Sequence, residues 1–252
     1  MSTRDSTGTK INHVVQETIT FATGNLTRAV NAPRAAGGIE LYGTGASTPT
    51  WQFCPLLMNC QFFDNSAGTY TNGTANLTSR LTADVLTLSA MEATVDFVYF
   101  GCDTMFRGVY LNVGSANAVA SVLAATYWDG TTWTGLTETD GTASGGATLA
   151  IDNSLTWTLP TDWAKTSVNG SNSLFFVRFN VTGTLTTPTT LIEAIPLSVQ
   201  TGRAISPGTA AVLPRYWFDR GGVGGVEGVA DNTDTLVITW LATSPYITAT
   251  AE

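Results

Sequence analysis

The feature that most constrains this chain is its punctuation. Short apolar, β-branched and aromatic runs recur along it, each stopped within a few residues by glycine, proline, asparagine or an Asp-Gly pair. Runs of that length, so closely interrupted, suit strands and leave little room for helices. Thr94–Gly101 is the clearest case. Alternation places Val95, Phe97 and Tyr99 on one face, and Asp96, Val98 and Phe100 on the other. Both faces are largely apolar, which predicts a strand buried on both sides.

Gly108–Gly114 is bracketed by glycines, and Ala120–Trp128 runs into Asp129-Gly130, a hairpin signal because both residues tolerate positive φ. Trp133 then opens the return strand. Further candidates are Gly38–Tyr42, Trp51–Phe63, Val85–Leu88, Thr148–Ile151, Leu155–Leu159, Leu174–Val181, Thr190–Ile195 and Thr235–Leu241. The pattern predicts an all-β chain, a β-sandwich or jelly roll of about ten or more short strands with little helix. The best helical candidate is Pro160–Thr166, with Thr161 or Asp162 as its N-cap.

Composition supports the same class. Threonine, stiff at its first side-chain torsion and at home on a pleated surface, fills 44 of 252 positions. Charged residues make up 12%, about half the usual share. Lys10 and Lys165 are the only lysines. The net charge of −8 argues against nucleic acid as a partner, since phosphate contacts need a basic surface. No apolar run reaches the roughly 20 residues of a membrane-spanning helix. The polar first ten residues predict no secretory leader.

Along the chain, polar residues 1–37 are expected to form an N-terminal arm, 38–198 a sandwich core, and 199–252 a C-terminal extension. Within that extension Gly221–Val229 holds five glycines in nine positions and reads as a flexible loop or a segment laid along a neighbour. As a phosphate loop it lacks the following Lys-Ser/Thr and a helix pattern.

The sequence offers little to catalysis. His13 is the only histidine and lies in the polar lead-in, so no Ser-His-Asp or Cys-His arrangement is expected. Cys54, Cys60 and Cys102 have no metal-ligand spacing and read as reduced core thiols. A glycosidase needs two carboxylates across a cleft. Asp129, Glu138 and Asp140 cluster in sequence, as do Asp231 and Asp234. Asp129 and Asp140 each precede a glycine, however, where aspartate forms turns. Calcium at these loops has no EF-hand-type spacing behind it. The Asn-x-Ser/Thr matches at Asn25, Asn72, Asn76, Asn169 and Asn180 are what a threonine-rich chain produces by chance. Trp128 and Trp133 flank a tight turn and Trp157 and Trp163 bracket Pro160, which favours packing over an exposed sugar platform. No catalytic residue, cofactor or metal is expected.

The middle of the chain resembles a β-sandwich module of tailed-phage virion proteins. The matching residues are Val98–Asp103, Phe106–Val113, Ala116-Asn117, Tyr127–Trp133, Thr139–Thr142, Trp157–Trp163, Val168–Gly170 and Phe176–Arg178, spread over 96–195. Phe176 stands where the module often has tryptophan. The resemblance implies a virion structural protein without catalysis. Few lysines guard the sheet edges, and threonine costs less than lysine or glutamate to bury in a contact. The expectation is a capsid decoration (cement) protein on the capsid outer surface, made in the host cytoplasm. Its partners would be the major capsid protein and copies of itself, a trimer by analogy, with no nucleic acid and no membrane. The N-terminal arm and Gly221–Val229 would act as its clamps. The alternative is a tail, neck or fibre subunit, including one that binds host glycans through exposed Trp128, Trp133 or Trp163. A carbohydrate-active enzyme is the third reading.

Overall fold

The computed structural model describes residues 3–4, 10–11, 13–21, 27–32, 36–45, 48–79, 81–88, 91–200, 202–204, 210–213, 223–231 and 234–242. They are almost wholly β. In chain order, β1 (Thr3–Arg4) and β2 (Lys10–Ile11) form a small ribbon, followed by β3 (His13–Thr20), β4 (Thr27–Asn31), β5 (Ala36–Thr44) and β6 (Thr50–Pro55). Next come β7 (Asn59–Asp64), β8 (Thr69–Asn72), the one-turn helix α1 (Thr74–Leu77), β9 (Leu86–Thr87), β10 (Phe97–Cys102), β11 (Gly108–Val113) and β12 (Leu123–Trp128). Then follow β13 (Trp133–Gly135), β14 (Glu138–Asp140), β15 (Asn153–Trp157), β16 (Lys165–Thr166), β17 (Leu174–Val181) and β18 (Thr190–Leu197). The last are β19 (Arg203–Ala204), β20 (Ala210–Leu213), β21 (Val223–Val229) and β22 (Thr235–Ala242).

Four antiparallel sheets make two sandwiches. The inner one packs a seven-stranded sheet, in the order β13-β12-β17-β10-β7-β8 with β16 beside β17, on a five-stranded sheet ordered β14-β15-β11-β18-β9. Its core runs from Phe62 and Leu88 through Val98, Phe100, Phe106 and Leu111 to Phe179 and Leu191. The outer sandwich packs β19-β6-β21-β4 on β20-β5-β22-β3 around Phe21, Ile39, Leu41, Trp51, Val226, Ile238 and Trp240. A small cluster joins them: Ala29 and Cys54 from the outer sandwich meet Tyr110, Ile195 and Leu197 from the inner one.

Alternation accounts for these placements. In β12 every second residue, Leu123, Ala125 and Tyr127, is buried, and β10 is covered on both faces as expected. The two faces of β10 serve different clusters. Val98, Phe100 and Cys102 enter the main core, while Tyr99 and the half-buried Phe97 lie on the outer face with Phe176 and Trp133.

The expected organisation needs correction at both ends. The predicted arm contributes β3 and β4, which pair with β22 and β21 some 194–228 residues later in the chain. The predicted extension supplies those partners, so the inner sandwich is inserted between two halves of the outer one. Pairing across that distance leaves no local signature. The described part of Gly221–Val229 is not a loop either: Val223–Val229 is an interior strand between β4 and β6, and Gly221 and Gly222 lie outside the described residues. Gly224 and Gly225 lie where a Cβ would come within 2.4 Å of the Pro55 carbonyl oxygen and 2.3 Å of the Val30 carbonyl oxygen. Close approach to neighbouring strands, rather than flexibility, explains them.

Three smaller expectations also change. Trp51–Phe63 is two strands, β6 and β7, because the chain crosses between sandwiches at Leu56–Met58. Thr148–Ile151 is a turn with Leu149 at φ +55°, tied down as the Thr148 hydroxyl donates to Asp140 and the Asn117 amide donates to the Thr148 carbonyl. Pro160–Thr166 is not helical. The Ala164 N–H donates to the Trp128 carbonyl and the Trp163 indole to the Phe176 carbonyl, so the segment lies along the sheet and ends in β16.

Candidate functional site

Of the carboxylates singled out by sequence, Asp129 and Asp140 are occupied by turns. One Asp129 oxygen accepts the Thr131 and Thr132 N–H groups and the Thr131 hydroxyl, each at 2.8 Å, and the other accepts the Thr134 hydroxyl. These bonds, led by the Thr132 and Thr131 N–H groups, hold its carboxyl well below the usual range. Asp140 accepts the Thr142 N–H and the hydroxyls of Thr142 and Thr148. Glu138 pairs with Trp157 at the edge of the five-stranded sheet. Asp231 is exposed and Asp234 buried, and the Asp234 N–H donates to the Asp231 carbonyl. His13 opens β3, and its side chain lies outside the described residues. Among the described residues no group of three or more His, Cys, Asp or Glu converges in a metal-holding arrangement. The three cysteines are free and buried, and burial pushes each thiol up.

The four tryptophans singled out by sequence divide into two pairs. Trp157 and Trp163 are buried, donating from their indoles to the Phe106 and Phe176 carbonyls, with ring centroids 5.5 and 5.1 Å from Phe106. They are packing residues, and Trp163 is closed to any ligand. Trp128 and Trp133 face each other across the hairpin, ring centroids 5.7 Å apart and edge to face, and both stay half-exposed.

Those two rings belong to a larger surface that sequence reading did not find. On the outer face of the seven-stranded sheet, register sets Tyr70 beside Phe63, Phe63 beside Phe97, Tyr99 beside Arg178, and Arg178 beside Thr126. Arg178 lies at the centre. Its guanidinium carbon is 4.1 Å from the Phe97 ring centroid and 4.6 Å from that of Trp133. Its Nε donates to the Thr126 hydroxyl at 3.1 Å, and Nη1 to the Tyr99 hydroxyl at 3.5 Å. Neither ion pair found among the described residues involves it. The signal that could have revealed it is a lone cation in the apolar run Leu174–Val181.

No protein-family model matches the chain, and no curated protein does. Function therefore rests on these surfaces and on the junction between the sandwiches. There Glu227, wholly buried on β21, accepts Arg107 Nη2 and, at 2.5 Å, Gln52 Nε2. An open cleft of about 250 Å³ lies alongside, lined by Thr50, Trp51, Gln52, Arg107, Gln200 and Glu227 among others. Glu227 sits among glycines and Arg107 immediately before a strand start, so neither advertises the contact in sequence. Among the described residues no helix is long and apolar enough to cross a membrane.

Proposed function

We propose that the chain is a virion structural protein, a capsid decoration subunit whose sheet edges are covered by neighbouring capsid proteins. The observation that carries this reading is the edge strand β8. All four of its residues, Thr69-Tyr70-Thr71-Asn72, are exposed and uncharged. The Gly73 N–H donates to the Cys60 carbonyl at 3.0 Å, and antiparallel alternation then turns Thr71 and Thr69 inward to β7. The N–H and C=O groups of Tyr70 and Asn72 are left facing the open edge. Such an edge, with no lysine, proline or bulge to guard it, is a template for another strand. The threonine-rich, low-charge composition and the resemblance of 96–195 to a phage sandwich module point the same way.

The clamps differ from the sequence expectation. β3, β4 and β21 are built into the outer sandwich, so deleting residues 1–30 would remove its strands and would not isolate an attachment arm. The edge itself is the element to test. Thr69→Lys/Thr71→Lys adds guarding charges at exposed positions. On purified particles imaged by electron cryo-microscopy, the native chain is expected on the capsid exterior and the variant at strongly reduced occupancy. Equal occupancy, or density on the tail, overturns the reading. The half-exposed Trp128 and Trp133 favour a second reading, a tail or fibre subunit contacting host glycans, and tail density would support it.

A further inference from the structure

We propose that the outer face of the seven-stranded sheet, centred on Arg178, is a binding site for acidic saccharides that bear a carboxylate. This holds wherever in a particle the chain sits.

Charge comes first. The chain carries a net −8, yet this face presents a cation whose described partners are a hydroxyl on either side and two aromatic rings. The side chains that surround it, Gln61, Tyr99, Thr126 and Asn180, are uncharged. The Phe97 and Trp133 rings both lie within cation–π distance of the guanidinium carbon. Nε and Nη1 use part of the five-donor fork, and a planar carboxylate is the natural ligand for the rest. The site is positioned in advance: Thr126 and Tyr99 fix the head while the two rings restrain its tilt.

The surroundings select a sugar. Trp133 and Trp128 extend the face on one side of Arg178, while Phe97, Phe63 and the 38%-exposed Tyr70 extend it on the other. Half-exposed rings offer their negative faces to the weakly positive C–H face of a pyranose. At one margin the exposed Asn169 amide, which donates to the buried Gln61 at 3.5 Å, adds a group suited to hydroxyls. A sheet face with aromatic rings around one cation suits an extended chain of charged sugars better than a small molecule that needs a deep pocket.

The test uses the full-length purified chain and calorimetric titration. Trigalacturonic acid and 3′-sialyllactose are the acidic probes, with methyl-esterified trigalacturonate and lactose as their neutral counterparts. The expected result is binding to at least one acidic probe and about tenfold or greater weakening for its neutral counterpart, the scale of a lost charge-assisted contact. Arg178→Lys should weaken acidic binding, since a point charge cannot reproduce the fork. The exposed Tyr70→Ser separates loss of stacking from loss of fold. Thermal unfolding of each variant checks integrity, and the probe pairs on the native chain stand even if Arg178→Lys is unstable. Equal affinity for acidic and neutral sugars, no binding to either acidic probe, or preference for an acidic peptide such as hexaglutamate overturns the proposal.

Discussion

Arg107 reaches from the inner sandwich to Glu227 in the outer one, and their pairing is a charged link between the two. The partners are unequal. The Glu227 side chain is fully buried, while that of Arg107 stays 32% exposed. A buried carboxylate without a cation is expensive, so truncating the arginine should cost more than the salt bridge itself contributes. Arg107→Met leaves Gln52 as the donor to a buried charge and should destabilise by about 3 kcal/mol. Arg107→Met/Glu227→Gln should recover part of that loss, with a coupling of about 1 kcal/mol or more. Urea denaturation of the native chain, both single variants and the double variant measures it. Additive effects would show that the two side chains are energetically independent.

Asp129 predicts a pH dependence with a definite sign. Its folded carboxyl is held low by N–H and hydroxyl donors, so the ionised form is favoured more in the folded state than in the unfolded one. The stabilisation is therefore present above the unfolded aspartate value of about 3.9, and is lost as pH falls through the lower folded value. Asp129→Asn keeps one carbonyl acceptor and loses the charge. Thermal unfolding from pH 7 downward should show the variant less stable at neutral pH, with the gap closing in acid. A gap that widens in acid would contradict the assignment.

The cysteines give a chemical test of burial. Each thiol is fully buried and its ionisation disfavoured, so little thiolate is available to react. At pH 8 a colorimetric disulfide reagent should leave Cys54, Cys60 and Cys102 unmodified in the native protein. In guanidinium chloride it should modify all three. Rapid labelling of one native thiol would locate a local opening near that strand.

What could be read from sequence followed local alternation. The Phe97–Phe100 stretch, the Trp128–Trp133 hairpin, the aspartate turns and the buried cysteines all declare themselves within a few residues. Long-range pairing did not. His13–Thr20 meets β22 through Thr20↔Thr235, and nothing in either segment names the other. Arg178 was legible only as an odd residue in an apolar strand. Its meaning came from Phe97 and Trp133, brought to it by register across neighbouring strands. Glycine density misled for a physical reason: the same residue that permits flexibility also permits close strand approach, and only neighbours distinguish the two.

That ambiguity can be resolved by experiment at Gly225. If Val223–Val229 were a flexible segment, Gly225→Ala would be neutral or slightly stabilising by restricting the unfolded chain. In the interior strand, a Cβ at Gly225 would sit 2.3 Å from the Val30 carbonyl oxygen and 3.2 Å from the Asn31 Cα, so backbone must shift to admit it. The expected cost is about 2 kcal/mol, in the range of overpacked interiors. Gly135→Ala is the matched control, because a Cβ there meets nothing within 4 Å. It should change stability by about 0.5 kcal/mol or less. Chemical denaturation of both variants against the native chain checks the pair. A neutral Gly225→Ala would return this segment to a loop and detach it from β4 and β6.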